Sequence, residues 1–255
     1  MAELETQLVF SLLDELPPDW QRFFSSQGLQ FQPLSSQSFS LYRQDEGWAL
    51  KDPEELNLKI DFVNDHLTYK KSFTSKKNEL IARALGLTDL SCRVLDLSAG
   101  LAQDAVFISQ LGGEVLALER NPILYFLLEQ ARQLSEEELK KQLQFAFSEA
   151  IDYLQNKDLK NFDVIYFDPM FPEKKKKSAL PRKEMQIFKK IVGDDSDAGL
   201  VLQAALDSLV PRVVVKRPVH ADPVALPTQI RPSYSLEGKL IRFDIYKKKA
   251  PREEK

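Results

Sequence analysis

The sequence of 255 residues predicts an α/β fold, a mostly parallel sheet of seven strands with helices on both faces. Two observations predict it. From about residue 75 onward, short apolar runs alternate with stretches of helical spacing, which indicates repeated strand–helix units and a parallel sheet. The chain ends with a final strand-like run, "GKLIRFDIYKK", and a strand that could pair with it is predicted near "PTQIRPSY". Because crossovers between parallel strands are right-handed, we expect a doubly wound sheet with a ligand cleft at the carboxyl ends of its strands.

Residues 1–70 are predicted to form a small, mostly β N-terminal subdomain. "SFSLYRQDEGWALKD" predicts two strands around Asp45-Glu46-Gly47, and "LNLKIDFVNDHLTYKK" predicts a second hairpin around Asn64-Asp65. Stretches rich in Ser, Gln and Pro separate these pieces. Residues 71–255 are then the predicted α/β domain.

The elements of the larger domain follow one another in a regular order. The helix "NELIARALGL" ends at Gly86, and Asn121 with Pro122 begins a later helix, because asparagine caps a helix and proline suits its first position. The predicted strands are "CRVLDLS", "EVLALER", "LQFAFSEA", "FDVIYFDP" and "RVVVKRP". The predicted helices between them are "LAQDAVFISQLGG", "NPILYFLLEQARQL" and two stretches near 181–192 and 198–209.

Composition excludes several classes of protein. Cys92 is the single cysteine, so no internal disulfide can form and a reducing cytoplasm suits the chain. No apolar run approaches the roughly 20 residues that span a membrane, and "MAELETQLVF" lacks the basic start of a signal peptide. With one cysteine and two separated histidines, His66 and His220, we expect no metal site. The sequence therefore predicts a cytoplasmic protein without a metal.

Polar residues stand where the first three strands of the larger domain end. Asp96 and Gly100 follow the first strand, and the glycine allows the backbone to turn closely past a ligand. Glu119 ends the second strand, where an acidic side chain can accept hydrogen bonds from both hydroxyls of a ribose. Ser148 and Glu149 end the third strand, where they could approach the edge of an adenine ring. We expect a nucleoside-containing cofactor in this cleft.

These features also have ordinary structural explanations. Gly100 fits a plain strand–helix turn, and Glu119 fits a surface glutamate paired with Arg120. The dinucleotide pattern G-x-G-x-x-G is absent, because Ala102 and Ala105 occupy the positions of its second and third glycines. The following helix is therefore poorly suited to a pyrophosphate.

The fourth strand leads into "DPMFP", residues 168–172. Asp168 and the carbonyl of Pro169 can each accept one N–H of a base amino group, whose lone pair is otherwise delocalised into the ring. Phe171 can stack on an extruded base, which contributes about 1–3 kcal/mol, and the prolines stiffen the loop. "DPMF" resembles the Asn/Asp-Pro-Pro-aromatic tetrapeptide of methyltransferases that modify base amino groups, with Met170 in its third position. Together with the three strand ends, it resembles a class I, Rossmann-like S-adenosylmethionine-dependent methyltransferase.

Basic residues crowd around this motif although the net charge of the chain is only −3. A basic loop beside a base-sized pocket can hold RNA phosphates. Lys183 on the next helix, and Lys216-Arg217 after the fifth strand, would extend the same patch. The alternative is a solvated charged loop with no partner. The loop consists of four consecutive lysines, which are Lys174, Lys175, Lys176 and Lys177.

Residues 60–247 resemble the ribosomal RNA small subunit methyltransferase J family of bacterial guanine-N2 methyltransferases. The resemblance is strongest in "AGLAQDA", "LERNP", "DPMFP", "KKSAL", "KEM", "RVVVKRP" and "RFDIY". It implies methyl transfer from S-adenosylmethionine to N2 of one guanine in 16S ribosomal RNA, with the RNA or the small subunit as partner. It also places cofactor contacts at particular positions of this sequence, namely Gln103, Asp104, Glu119, Arg120, Ser148, Glu149 and Asp168.

The sequence departs from the family pattern in two places. "KKSFTSKKNEL" has no glycine where the family often has a glycine-rich stretch. Ala102 and Gln103 replace the usual second glycine and the arginine of the first motif. Two other functions stay open at this point: methylation of another amino group, such as adenine N6, and a non-catalytic RNA-binding assembly factor that keeps the methyltransferase shell.

Overall fold

A computed structural model describes residues 8–63, 79–87, 92–170, 183–193, 195–226, 228 and 230–248. Eleven strands and eight helices lie within these ranges and are numbered in chain order. The strands form two sheets, one of four strands near the N-terminus and one of seven strands in the rest of the chain. No helix among these residues is both long enough and apolar enough to cross a membrane.

The four-stranded sheet has the order β1-β2-β3-β4. β1 runs parallel to β2, and the remaining neighbours are antiparallel. Asp45, with φ +54°, turns the chain between β2 and β3, so the hairpin predicted there is confirmed. The tip of the second predicted hairpin, Asn64-Asp65, lies outside the described residues. The strands are Phe10–Leu12 (β1), Phe39–Gln44 (β2), Gly47–Lys51 (β3) and Asn57–Lys59 (β4).

Helix α1, Pro18–Ser26, joins this sheet to the larger one. Its aromatic residues recur at helical spacing, and Trp20 packs edge-on against Phe126 with ring centroids 4.8 Å apart. Trp48 of β3 meets the same Phe126 ring at 5.2 Å. One hydrophobic core therefore spans both sheets, and the division of the chain at residue 70 stays a prediction.

The other helices surround the larger sheet. Asn121 caps α4 by accepting hydrogen bonds from the backbone N–H groups of Ile123 (3.0 Å) and Leu124 (3.1 Å), which confirms the predicted cap. Helix α2 ends at Gly86, whose φ of +76° explains the glycine. The helices are Leu80–Leu85 (α2), Gln103–Gln110 (α3), Pro122–Leu134 (α4), Glu137–Gln142 (α5), Ala150–Asn156 (α6), Lys183–Val192 (α7) and Ala198–Asp207 (α8).

The seven-stranded sheet has the order β10-β11-β9-β8-β5-β6-β7. Strands β5 to β9 are parallel to one another, and β11 is antiparallel to both of its neighbours. The predicted fold class, a mostly parallel seven-stranded α/β sheet, is confirmed. The strands are Cys92–Asp96 (β5), Gly113–Glu119 (β6), Leu143–Phe147 (β7), Val164–Phe167 (β8), Arg212–Pro218 (β9), Tyr234–Glu237 (β10) and Ile241–Lys247 (β11).

Helices cover both faces of this sheet. Val94 of β5 packs in a core with α3, α4 and α7, whereas the next residue, Leu95, packs in a second core with α8. This alternation is what a strand buried on both faces requires. Strand β10, at one edge of the sheet, begins at Tyr234. It was predicted near "PTQIRPSY" and begins only at the end of that stretch, because Pro232 has no N–H to donate to a neighbouring strand.

Chain order reverses on either side of β5, since β6 lies on one side and β8 on the other. The carboxyl ends of β5, β6 and β8 therefore diverge into loops at a topological switch point. Ligands of doubly wound sheets bind in the crevice at this point.

Candidate active site

An open cavity of about 210 Å³ lies at the switch point. Loops at the carboxyl ends of β5 to β9 form one wall, and α7 forms another with Met185, Phe188 and Val192. All nine residues predicted to contact the cofactor line this cavity. They are Asp96, Gly100, Gln103, Asp104, Glu119, Arg120, Ser148, Glu149 and Asp168.

The loop after β5 depends on unusual backbone angles. Gly100 has φ +53°, and a Cβ atom there would lie 3.3 Å from Cζ of Phe188. Ala102 also has a positive φ, +56°, at the start of α3. Asp96 is 1% exposed and accepts a hydrogen bond from the backbone N–H of Ser98 at 2.9 Å. A glycine at position 100 therefore suits both the positive φ and the close approach of Phe188 at the cavity wall.

Glu119 lies beside this loop with its side chain buried. It accepts hydrogen bonds from the backbone N–H of Asn121, at 2.7 Å, and from that of Gly100. Burial raises the pKa of Glu119 to about 7 in spite of these hydrogen bonds. The alternative of a surface glutamate is therefore wrong, and Glu119 is an acceptor at the cavity wall.

Arg120 forms a clamp with two acidic residues that follow α7. Its Nη2 lies 2.6 Å from Asp195 Oδ1, and its Nη1 lies 3.2 Å from Asp197 Oδ2. Asp195 Oδ2 also accepts the backbone N–H of Met170 at 2.6 Å. Asp195 thus links the end of β6 to the Asp168-Pro169-Met170 turn. Sequence reasoning gave it no role, because an acidic run such as residues 194–197 by itself indicates only a charged surface.

Asp168 and Asp104 share a lysine inside the cavity. Lys216 Nζ, at the end of β9, lies 2.9 Å from Asp168 Oδ2 and 2.7 Å from Asp104 Oδ2. The hydroxyl of Tyr166 donates to the same Asp104 oxygen at 2.5 Å. The backbone N–H of Asp168 donates to Ser98 Oγ at 2.9 Å. These contacts fix the Asp168 carboxylate at the carboxyl end of β8.

The acidic groups of this network have raised pKa values. Burial raises the pKa of Asp168 to about 6; Lys216 opposes this shift and Asp104 adds to it. Burial likewise raises the pKa of Asp96 to about 7. Burial alone would lower the pKa of Lys216, but the carboxylates of Asp104 and Asp168 outweigh it and raise that pKa. Lys216 is therefore an ammonium ion at neutral pH.

Two of the residues predicted to bind RNA are placed differently from the expectation. Lys216 and Arg217 do not extend a surface patch, which corrects that prediction. Lys216 points into the cavity, because two carboxylates hold its ammonium group there. Arg217 is buried and donates to the carbonyl of Asp222.

For the other residues predicted to contact RNA or the target base, the structure gives no reason to change the prediction. Lys183 is exposed at the start of α7, as a phosphate contact requires. The others lie outside the described residues, so their roles stay predictions. They are Phe171, Lys174, Lys175, Lys176 and Lys177.

The donor and acceptor set of the cavity fits S-adenosylmethionine. Glu119 is a buried acceptor suited to ribose hydroxyls, and Gly100 leaves room that a Cβ would fill. Within the described residues, no group of three or more His, Cys, Asp or Glu side chains is placed to hold a metal ion. The sheet order and this cavity define a class I S-adenosylmethionine-dependent methyltransferase.

Comparison with known proteins identifies the family. A family model described as a putative SAM-dependent methyltransferase matches residues 25–248. A ribosomal RNA small subunit methyltransferase J of Bdellovibrio bacteriovorus is 47% identical over 209 residues, 82% of this chain and 81% of that protein. One from Pseudomonas fluorescens is 37% identical over 239 residues, 90% of each chain. The chain therefore belongs to the ribosomal RNA small subunit methyltransferase J family, and the resemblance seen in the sequence is confirmed.

A solved structure has the same fold over nearly the whole length. The crystal structure of a SAM-dependent methyltransferase from Neisseria gonorrhoeae superposes with a TM-score of 0.70 at 25% identity. The match covers 93% of this chain and 95% of that one. The protein is thus a SAM-dependent methyltransferase in both sequence and fold.

Proposed function

We propose that this enzyme methylates the exocyclic N2 of one guanine in 16S ribosomal RNA. The observation that carries the proposal is the Asp168 carboxylate, which is held at the cavity with one oxygen on Lys216. No residue that the structure describes donates a hydrogen bond to its other oxygen, Oδ1. That oxygen can accept an N–H from a base amino group. The relatives described above are named as ribosomal RNA small subunit methyltransferases, and their names support ribosomal RNA as the molecule that carries the target base.

The cofactor would be held by the residues that line the strand ends. Glu119 would accept the ribose hydroxyls, and Ser148 with Glu149 would meet the adenine edge. Asp96, Gly100, Gln103, Asp104 and Arg120 would contribute the remaining contacts. When bound, S-adenosylmethionine supplies a methyl group on a sulfonium, which needs no further activation.

The protein's own task is then to orient a weak nucleophile. Asp168 Oδ1 and the carbonyl of Pro169 each accept one N–H of the amino group, so that the nitrogen lone pair faces the methyl donor. Orientation of this kind, with exclusion of water, supplies most of the acceleration. Asp168 also accepts the proton that the nitrogen loses. Asp195 keeps the Asp168-Pro169-Met170 turn in place through the Met170 N–H.

The target base reaches this point by leaving its stack in the RNA. Phe171 would stack on the extruded guanine. The partner would be the 16S RNA or the small subunit that contains it, and a cytoplasmic location fits that partner. The flanking phosphates would be held by five lysines, which are Lys174, Lys175, Lys176, Lys177 and Lys183.

Mass spectrometry of 16S RNA from a strain that lacks the gene tests the proposal. We expect one N2-methylguanine to disappear and to return with the wild-type gene but not with an Asp168→Ala variant. An unchanged guanine methylation pattern would contradict the proposal. Loss of an N6-methyladenine instead would favour the adenine alternative.

A further inference from the structure

We propose that Lys216 is a positioning residue that keeps the Asp168 carboxylate ionised and aims its free oxygen at the target amine. This inference rests on the proposed function and adds a residue to it. The sequence alone had suggested a phosphate contact for Lys216. The contacts that the lysine makes inside the cavity are the reason for assigning it a different role.

The strand register brings the lysine to this place. In the parallel pair β8–β9, Phe167 lies opposite Val215, so Asp168 and Lys216 are the next residues along neighbouring strands. Lys216 Nζ lies 2.9 Å from Oδ2 of Asp168, a residue that lines the cavity, and no described residue donates a hydrogen bond to Oδ1. The ammonium therefore sets which oxygen is available to a substrate.

The lysine also balances an acidic surrounding. Asp104 of α3, Asp96 at the end of β5 and Asp195 after α7 all act on Asp168 electrostatically, and Tyr166 lies in the same network. Among the described residues that line the cavity, the cations are Lys216 and Arg120. Arg120 is engaged by Asp195 and Asp197. Without Lys216, the carboxylates would repel one another, and Asp168 would hold its proton up to a higher pH.

A protonated Asp168 could not perform the proposed task. During transfer the nitrogen lone pair forms a bond to the methyl carbon, the carbon–sulfur bond breaks, and its electron pair stays on sulfur as a thioether. The nitrogen then loses one proton, which Asp168 Oδ1 accepts and passes to solvent. Lys216 keeps its own proton throughout, so it acts on the reaction only through Asp168.

The test compares Lys216→Met with Lys216→Arg, and uses Lys247→Met on the neighbouring strand β11 as the control. The first readout is the titration of the Asp168 carboxyl in the free protein by carbon-13 NMR, assigned with Asp168→Asn. The second is the pH profile of single-turnover methyl transfer to small subunits from cells that lack the enzyme. An opposite charge at this distance lowers an aspartate pKa by about 1–3 units. Since 36% of the Asp168 side chain is exposed, we expect the lower end of that range.

Lys216→Met should move the carboxyl titration and the acid limb of the profile upward by about one pH unit. Its activity relative to wild type should recover as the pH rises. Lys216→Arg should bring both the Asp168 titration and the acid limb of the profile back close to their wild-type values. If the methionine variant does not fold, the arginine variant still tests whether a cation at position 216 controls Asp168. Lys247→Met should leave both unchanged.

Two outcomes would overturn the inference. One is an Asp168 titration that does not move in Lys216→Met. The other is a salt-dependent rise in KM for the small subunit with an unchanged pH profile. That result would show that Lys216 contacts RNA phosphates instead of positioning Asp168. If the wild-type protein transfers no methyl group, the proposed function fails, but the NMR titration still decides whether Lys216 controls Asp168.

Discussion

Replacing Glu119 by glutamine tests how the cavity holds its cofactor. The buried carboxylate of Glu119 already accepts backbone N–H groups from Asn121 and Gly100, and Glu119 lines the cavity. Glutamine keeps the size and one acceptor oxygen, but its NH2 group must then face either a backbone N–H or a ribose hydroxyl. A hydrogen bond to a charged group contributes about 1.5–3 kcal/mol. The Kd for S-adenosylmethionine should therefore rise about 10- to 150-fold.

The dependence of cofactor affinity on pH provides a second test of the role of Glu119. Because the pKa of Glu119 is raised to about 7, its ionised form is lost as the pH falls below that value, and cofactor affinity should fall with it. Glu119→Gln should lose part of this dependence, and Asp96, with a pKa of about 7, should account for what is left.

Isothermal titration calorimetry between pH 6 and 8.5 measures both effects. Glu114→Gln is the matched control, since Glu114 lies near the other end of β6 and is exposed. Its affinity should equal that of the wild type. An unchanged Kd in Glu119→Gln, or a wild-type pH dependence in that variant, would refute the role given to Glu119.

Three further changes test other parts of the site. Asp168→Ala should abolish methyl transfer with only a modest loss of cofactor affinity, and unchanged turnover would disprove its role. Asp195→Asn should slow transfer roughly tenfold, because a charge-assisted hydrogen bond to Met170 is weakened. Asp197→Asn, which changes a carboxylate that pairs with Arg120 and not with Met170, should have a smaller effect on turnover. Gly100→Ala should cost about 1–2 kcal/mol of stability in chemical denaturation, because of its positive φ, and should weaken cofactor binding. Gly28→Ala has similar backbone strain with open space around it, so its cofactor affinity should not change.

Most of the larger sheet could be predicted from the sequence. Its central strands are short apolar runs between turn residues, and each is buried on both faces, so pattern and structure agree closely. Helices α5 and α6 were not predicted, because each is short and buries a single residue, Leu139 or Leu154, so neither has an apolar repeat. Helix α1 was also missed, although Trp20, Phe23 and Phe24 repeat at helical spacing, because the surrounding segment is rich in strand and turn residues.

The candidate site could be predicted in part for a geometric reason. Residues that end parallel strands converge at one edge, so Asp96, Glu119 and Asp168 were expected together and lie around one cavity. Lys216 and Asp104 are 112 residues apart in the chain, and no local pattern indicates that they form an ion pair. A lysine in the run "KRP" resembles a surface cation in sequence. Only the register of β8 and β9 turns it toward the cavity.

Transfer of a labelled methyl group from S-adenosylmethionine to purified small subunits is the most direct assay of the proposed guanine-N2 methylation. The subunits come from a strain without this gene, and the modified nucleotide is mapped by nuclease digestion and mass spectrometry. We predict one labelled methyl group per subunit, on N2 of a single guanine, and none with the Asp168→Ala enzyme. Label on another base, on several guanines, or on no RNA at all would contradict methylation of a single guanine at N2.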